Sequence, residues 1–327
     1  MKSLKPCVFI LLAILGFQAS NAVATENAAD LEVKLQQIMS QRRQNKPYVD
    51  ISDAELKTGD PHLLLTLLEP YEKDPIWIVR RTAYFYEMKV ARLHPTAEVR
   101  QEVTKRLVEA SITGSMKGAT EWLLTFGQED FSQQSKDLIR EGLAKADIDK
   151  VGGDPSIWLC GVANMKDQLP HLKKLLINEV AYRSDPKMRH LPKWYYTSGW
   201  AARLARARMG VEDDIVKCIQ LSDSLLRPNG YFEERANIPE VKLLNDISYI
   251  AQPASIRYLQ GYLQSDKKLL GPHGKPWEPV ASYVLDLLAR RLKNFPIKRK
   301  RARFYSLDEI QRAREWMVQQ KEWKIIR

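Results

Sequence analysis

The densest chemistry in the chain lies in SDPKMRHLPKWYYTSGW, residues 184–200, which gathers Arg189, Lys193, Trp194, Tyr195, Tyr196 and Trp200 beside Lys187 and His190. Aromatic faces next to guanidinium and ammonium groups bind by stacking and charge together. They suit a peptide, a sugar or an anionic polymer. The same spacing also fits a helix start, with Trp194, Tyr196 and Trp200 in the core and the bases in water. Catalytic signatures are scarce. There is no HExxH, no CxxC pair, no GxSxG elbow and no GxxxxGK[ST] loop. The histidines, His62, His94, His171, His190 and His273, are scattered, and none lies within four residues of another. His62 and His94 adjoin prolines near helix starts, where a surface role outweighs a metal ligand. The pairs Glu233–Glu234 and Asp213–Asp214 read as lying in turns open to water. No cofactor, metal ligand or catalytic residue is expected from motifs, although distant residues can assemble a site on folding.

Two other stretches carry charge or rigidity. GPHGKPWEP, 271–279, reads as a stiff loop entering a helix, with His273 and Trp277 at a rim. RRLKNFPIKRKRARF, 290–304, has eight bases and no acid. Such a run contacts phosphate-bearing lipid or polysaccharide, or else is a solvated linker. The linker reading is preferred, with Phe295, Ile297 and Phe304 pinning it to the rest of the chain.

The first residues read as a secretory signal. Lys2 and Lys5 form a basic head, Val8 to Phe17 is apolar except for Gly16, and Ser20-Asn21-Ala22 has the small-x-small form of a cleavage site. Ala22-Val23-Ala24 is a second option. The apolar run is too short to span a bilayer comfortably, and no later segment reaches that length. Export to the periplasm or beyond is therefore expected, with residues 1–22 removed. The formal net charge of +11 falls to +9 once Lys2 and Lys5 are gone. That surplus suits an anionic partner, but export makes nucleic acid an unlikely one. Cys160 and Cys218 survive cleavage, in the apolar runs IWLCGVA and IVKCIQL. Two cysteines do not make a disulfide scaffold, so buried free thiols are the simpler expectation.

The elements that must position all this are helices. Leu31, Leu35, Ile38 and Met39 share one helical face, as do Ile76, Val79, Ala83, Tyr86 and Val90. Strand-like alternation is nearly absent; PYVDI at 47–51 is the best case. Asp-Pro pairs at 60–61, 74–75, 154–155 and 185–186 are helix starts, with Asp capping free amides and Pro filling a position that needs none. SLDE at 306–309 is a capping box, followed by Leu307, Ile310, Ala313 and Met317 on one side. Between caps the helices come in pairs. Aligning the breaks at Asp130, Asp167, Asp213 and Pro253 gives spacings of 37, 46 and 40 residues. Pro75, Val79, Arg80 and Ala83 are echoed twenty residues on by Pro95, Val99, Arg100 and Val103. A period near forty with two helices per unit is the pattern of an α-solenoid, in which stacked hairpins share apolar ridges.

The forms DPxxxVRxxA at 74–83, HPxxxVRxxV at 94–103 and GVANMKDQLPHLKKLL at 161–176 resemble HEAT repeats, including the HEAT-like repeats of bacteria. The resemblance implies an all-α superhelix of antiparallel hairpins, armadillo-like in architecture, over 60–295. Residues 23–59 form an N-terminal helix and linker, and 296–327 a basic linker and final helix. It also implies that Arg80 and Arg100 sit at ridge margins and pair with acids of neighbouring helices. The expected function is an exported, non-catalytic scaffold that binds a protein or peptide. The alternatives are a glycosylase-like or lyase-like enzyme on a HEAT-like fold, or an envelope-binding module for anionic polymers. Export is the most direct of these expectations to check. N-terminal sequencing of the cell-fractionated protein should find a first residue just after Ala22 or Ala24. A cytoplasmic product still beginning at Met1 would overturn it.

Overall fold

A computed structural model describes residues 29–116, 118–147, 153–176, 197–226, 238–266, 268–270, 276–299, 305–320 and 322–326. These residues are helical except for turns, irregular connections and one short two-stranded ribbon. The PYVDI stretch is irregular and not a strand. Contacts divide the chain into two compact units, Met1–Lys117 and Gly118–Arg327.

The first unit contains α1 (residues 29–43), α2 (Asp53–Thr58), α3 (Pro61–Glu72), α4 (Trp77–Leu93) and α5 (Ala97–Thr113). Leu31, Leu35, Ile38 and Met39 of α1 are all buried, as their spacing predicts. α4 is the hub, because it packs on α2, α3 and α5. Val79, Ala83, Tyr86 and Val90 supply its buried ridge, and Val99, Val103 and Leu107 that of α5. The starts of these helices follow capping chemistry. Ser52 and Glu55 form a reciprocal capping box at α2. Asp60 accepts from the amides of His62 and Leu63, with Pro61 as first helical residue of α3. Asp74 departs from the expected pattern: its carboxylate accepts from the Ile76 amide, and α4 starts only after Ile76. Ile76 is consequently exposed and lies outside the ridge. α5 ends at Gly114, whose φ of 72° is the left-handed conformation glycine tolerates best.

Arg80 also differs from expectation. Among the described residues its guanidinium meets no acid in a salt bridge. It donates to the backbone carbonyls of Asp74, Pro75 and Ser115 instead. The physical reason is local: these carbonyls, at the turn before α4 and the turn after α5, have no helical partner and need donors.

The second unit contains α6 (Ala119–Leu123), α7 (Gln133–Ala144), α8 (Pro155–Val162), α9 (Leu169–Leu175), α10 (Ser198–Arg208), α11 (Glu212–Leu226), α12 (Ile238–Ile250), α13 (Pro253–Leu263), α14 (Val280–Arg291) and α15 (Leu307–Gln319). Each of the four paired segments forms two helices. The breaks fall near Asp130 and Asp167, each in a short 3-10 turn, and at the starts of α11 and α13. β1 (Lys268–Leu270) and β2 (Pro276–Pro279) make an antiparallel ribbon with a register shift between Leu269 and Leu270. Ser306 and Glu309 form the expected capping box at α15. Ile310, Ala313 and Met317 are buried, whereas Leu307 is 82% exposed because it occupies the outward side of the first turn.

α10 and α14 centre this unit. α10 packs on α8, α9, α11 and α12, and α14 on α12, α13 and α15. The sequence of α10 makes that close approach easy, since Ala201, Ala202, Ala205 and Ala207 are small and buried. Gly161 does the same for α8. A Cβ there would lie 2.2 Å from the Tyr249 hydroxyl and 2.9 Å from the Ala205 Cα. Gly161→Ala should therefore destabilise the protein by about 1–3 kcal/mol, the usual cost of overpacking. Thermal melting followed by circular dichroism checks this, and a wild-type melting temperature would show that the helices give way freely.

Candidate functional site

Of the loop residues that sequence singles out, Arg189, Lys193, Trp194, Tyr195 and Tyr196 lie outside the described residues. Trp200 lies in the first turn of α10 and is 1% exposed. Its indole nitrogen donates to Asp246 of α12 at 3.0 Å. Trp200 is therefore core, as the second of the two readings of its spacing has it. A buried indole needs one acceptor, and Asp246 supplies it. His273 lies outside the described residues, and Trp277 is described only in its backbone, in the 276–279 strand. Of the basic run, Ile297 is buried and Phe295 meets Trp316 edge-on at 5.4 Å. Arg290 and Arg299 both bond the buried carboxylate of Asp286. Those contacts favour the linker reading over a free cationic patch.

Sequence reasoning passed over two features of the first unit. One is a polar cleft of about 550 Å³ with Glu72, Tyr84, Glu102 and Arg106 in its wall. Arg106 joins three helices there. Its Nη1 donates to the Leu65 carbonyl at 3.0 Å and to Glu72 at 2.7 Å, both on α3, and to Glu87 of α4 at 3.4 Å. Its Nε donates to Glu102 on its own helix at 2.8 Å. Glu87 is fully buried, and burial raises its carboxyl well above the ordinary value. The charge of Glu72 and a carboxyl–carboxyl hydrogen bond raise it further, against the pull of Arg106. Glu87 Oε2 has no other partner, so a proton held there and donated to Glu72 accounts for both observations. With Glu87 neutral, the charges of Glu72, Glu102, Lys105 and Arg106 cancel. Burial also raises the Tyr84 phenol, so it stays a neutral donor.

The shared proton is not placed for catalysis. Glu87 sits behind Arg106 and does not line the cleft. Two carboxyls in hydrogen-bond contact are also too close for the water or sugar that separates paired carboxylates in glycoside hydrolysis. The network is a strut between α3, α4 and α5. The signal in the sequence was a glutamate set among Ala83, Tyr86 and Val90 on an apolar face.

The second feature is the outward face of α4. Trp77, Arg81, Phe85 and Lys89 follow one another every four residues, opposite the buried ridge. Trp77 is 56% exposed and Phe85 41%. The Arg81 guanidinium lies 5.5 Å from the Trp77 ring centre, and the Lys89 ammonium 5.2 Å from that of Phe85. Asp50 fixes Lys89 at 2.8 Å, while Arg81 has no acid within ion-pair distance among the described residues. Ring, cation, ring and cation thus form one stripe on three turns of helix. The four-residue spacing made it legible; the Pro-Val-Arg-Ala echo in the same stretch masked it.

Among the described residues, no three His, Cys, Asp or Glu side chains gather to hold a metal ion. No helix among them is long and apolar enough to cross a membrane. His94 bonds the Leu56 carbonyl at 2.9 Å and His62 lies 3.7 Å from Glu98, both structural contacts at the surface. Cys160 and Cys218 are buried thiols in no disulfide, and burial pushes the Cys160 thiol up to about 12. No family model matches the chain at a significant level, and neither does any curated protein or solved structure.

The proton on Glu87 makes stability depend on pH. Its folded value is raised above the ordinary 4.5. The stability it contributes is complete below that value and is lost as pH rises through the folded one. Glu87→Gln keeps the shape and the donor to Glu72 but cannot ionise. The melting temperature of this variant should gain on wild type steadily as pH rises above about 4.5. Parallel melting curves across the range would show that Glu87 is charged in the fold.

Proposed function

We propose that the protein is an exported, non-catalytic scaffold of HEAT-like helical hairpins that binds another protein through the outward face of α4. The carrying observation is the exposed row of Trp77, Arg81 and Phe85 at four-residue spacing, continued by the half-buried Lys89. Tryptophan and arginine are over-represented among residues that anchor interfaces, and exposed rings in a row are otherwise a liability in water. The Arg81 and Lys89 cations stand 5.5 and 5.2 Å from the Trp77 and Phe85 ring centres, so the stripe suits a partner surface with carboxylates between apolar side chains. Hairpins of paired helices in each unit, and the echoed Val-Arg form at 79–80 and 99–100, support the HEAT-like reading. The basic head, apolar core and cleavage form of residues 1–22 support export. Arg189, Lys193, Trp194, Tyr195 and Tyr196 belong to the same reading on sequence grounds, as a second contact.

The enzyme alternative has less behind it, because Glu87, the raised carboxyl beside the cleft, does not line it. Pull-down from an envelope fraction tests the binding reading when wild type is compared with Trp77→Ala, Phe85→Ala and Arg81→Glu. Each variant should melt like wild type and weaken capture of the partner by more than about 1 kcal/mol. Loss of stability with undiminished capture would remove α4 from the contact surface. A captured species that is polysaccharide rather than protein would favour the polymer-binding reading.

A further inference from the structure

The cleft of the first unit holds more polar chemistry than its strut uses. Three helices each present two groups to it, four residues apart. Glu69 and Lys73 come from the end of α3, Arg80 and Tyr84 from the first half of α4, and Glu109 and Thr113 from the end of α5. That step puts both members of a pair on one helix face. Glu69, Lys73 and Glu109 are exposed, and among the described residues they enter no ion pair. Glu69 and Lys73 nevertheless stand in the order that best closes a pair on a helix. Arg80 spends its Nε and Nη1 on three backbone carbonyls, and none of those bonds uses its Nη2.

The wall as a whole carries four carboxylates and four cations. Their formal sum is zero, so an ion of either sign finds no net attraction. An apolar molecule would strip water from these charges and return nothing. A zwitterion would use one cation and one carboxylate and leave the others poorly solvated. A hydroxyl differs, because it donates one hydrogen bond and accepts others. One hydroxyl therefore satisfies a carboxylate and an ammonium together, and neighbouring hydroxyls on a ring repeat the pattern. Tyr84 is only 3% exposed and adds a ring and a phenol to the same wall. The volume, about 550 Å³, falls in the usual range of small-molecule sites. The Arg106 strut holds the three helices that form the wall, so the cleft is shaped before a ligand arrives.

We propose that this cleft binds a neutral, polyhydroxylated small molecule of the mono- or disaccharide class. Glu69 and Glu109 accept from its hydroxyls, and Lys73 and the Arg80 Nη2 donate to them. The protein binds the sugar without cleaving it, since the raised carboxyl of Glu87 does not line the cleft. The inference does not depend on the proposed protein-binding face of α4.

The test is calorimetric titration of the purified full chain with glucose, galactose, N-acetylglucosamine and maltose, at low and at high salt. At least one should bind saturably at one site per chain, with the same affinity at both salts, because a neutral ligand is not screened. Lys73→Ala and Glu109→Ala should each weaken it by about tenfold or more, the loss expected for a hydrogen bond to a charged group. Both residues are exposed, so both variants should melt like wild type; if one does not, Glu69→Ala takes its place. Trp77→Ala should leave saccharide affinity unchanged. Absence of saturable binding across the four sugars would overturn the site. So would tighter, salt-sensitive binding of spermidine, phosphate or dialanine at the same residues. Loss on Trp77→Ala with the Lys73 and Glu109 variants unaffected would place the sugar on the ring stripe and equally overturn the cleft.

Discussion

A helix of ten to seventeen residues is marginal in water, and among the described residues none is longer. Each persists because its apolar stripe is shared with neighbours. α4 has α2, α3 and α5; α10 has α8, α9, α11 and α12. That dependence explains the residue choices at the hubs. Where helices must approach closely the side chains are small, as along α10 and at Gly161. Where a helix lacks cover its outward side turns to charge, as α4 does between its two exposed rings. The cost of ordering so many short elements is met by contacts made between them, and little stability resides in any one alone.

Charges enter these interiors only on terms set by the same packing. Arg106 spans three helices because each brings an acceptor within 3.4 Å. Glu87 enters as an acid, which keeps the cluster neutral and leaves it a donor. In the second unit, aspartates on α11, α12 and α14 draw bases from their own helix and from neighbouring segments. A buried ion pair is a weak source of stability but fixes geometry, since half of it cannot be displaced without stranding the rest. These pairs therefore specify which helix meets which, while the leucines and alanines supply the burial.

The sequence made the helices legible because caps and spacing are local chemistry. Asp60, Asp154, Ser52 and Ser306 cap where their neighbours dictate, and the buried faces of α1 and α4 follow the helical period. Errors arose where a third element intervened. Leu307 fits the period of α15 and yet faces water. Arg80 was read against acids, but unpaired carbonyls on either side of it were the nearer need. Trp200 illustrates the limit for sites. Beside the bases of its loop it read as a contact residue, and only the position of Asp246, forty-six residues on, shows it to be core. The Arg106 network is non-local in the same way, since residues 65, 72, 87 and 106 acquire a common meaning only when three helices meet.

The two buried cysteines impose an order of events. Cys160 and Cys218 are buried in α8 and α11, and the thiol of Cys160 is held protonated by its surroundings. A protonated, enclosed thiol is inert to oxidation, but the unfolded chain offers both sulfurs as ordinary nucleophiles. In the exported setting proposed above, an oxidising compartment meets the chain before its core exists. Packing of α8 against α10 then competes in time with disulfide formation, and burial of Cys160 ends that competition.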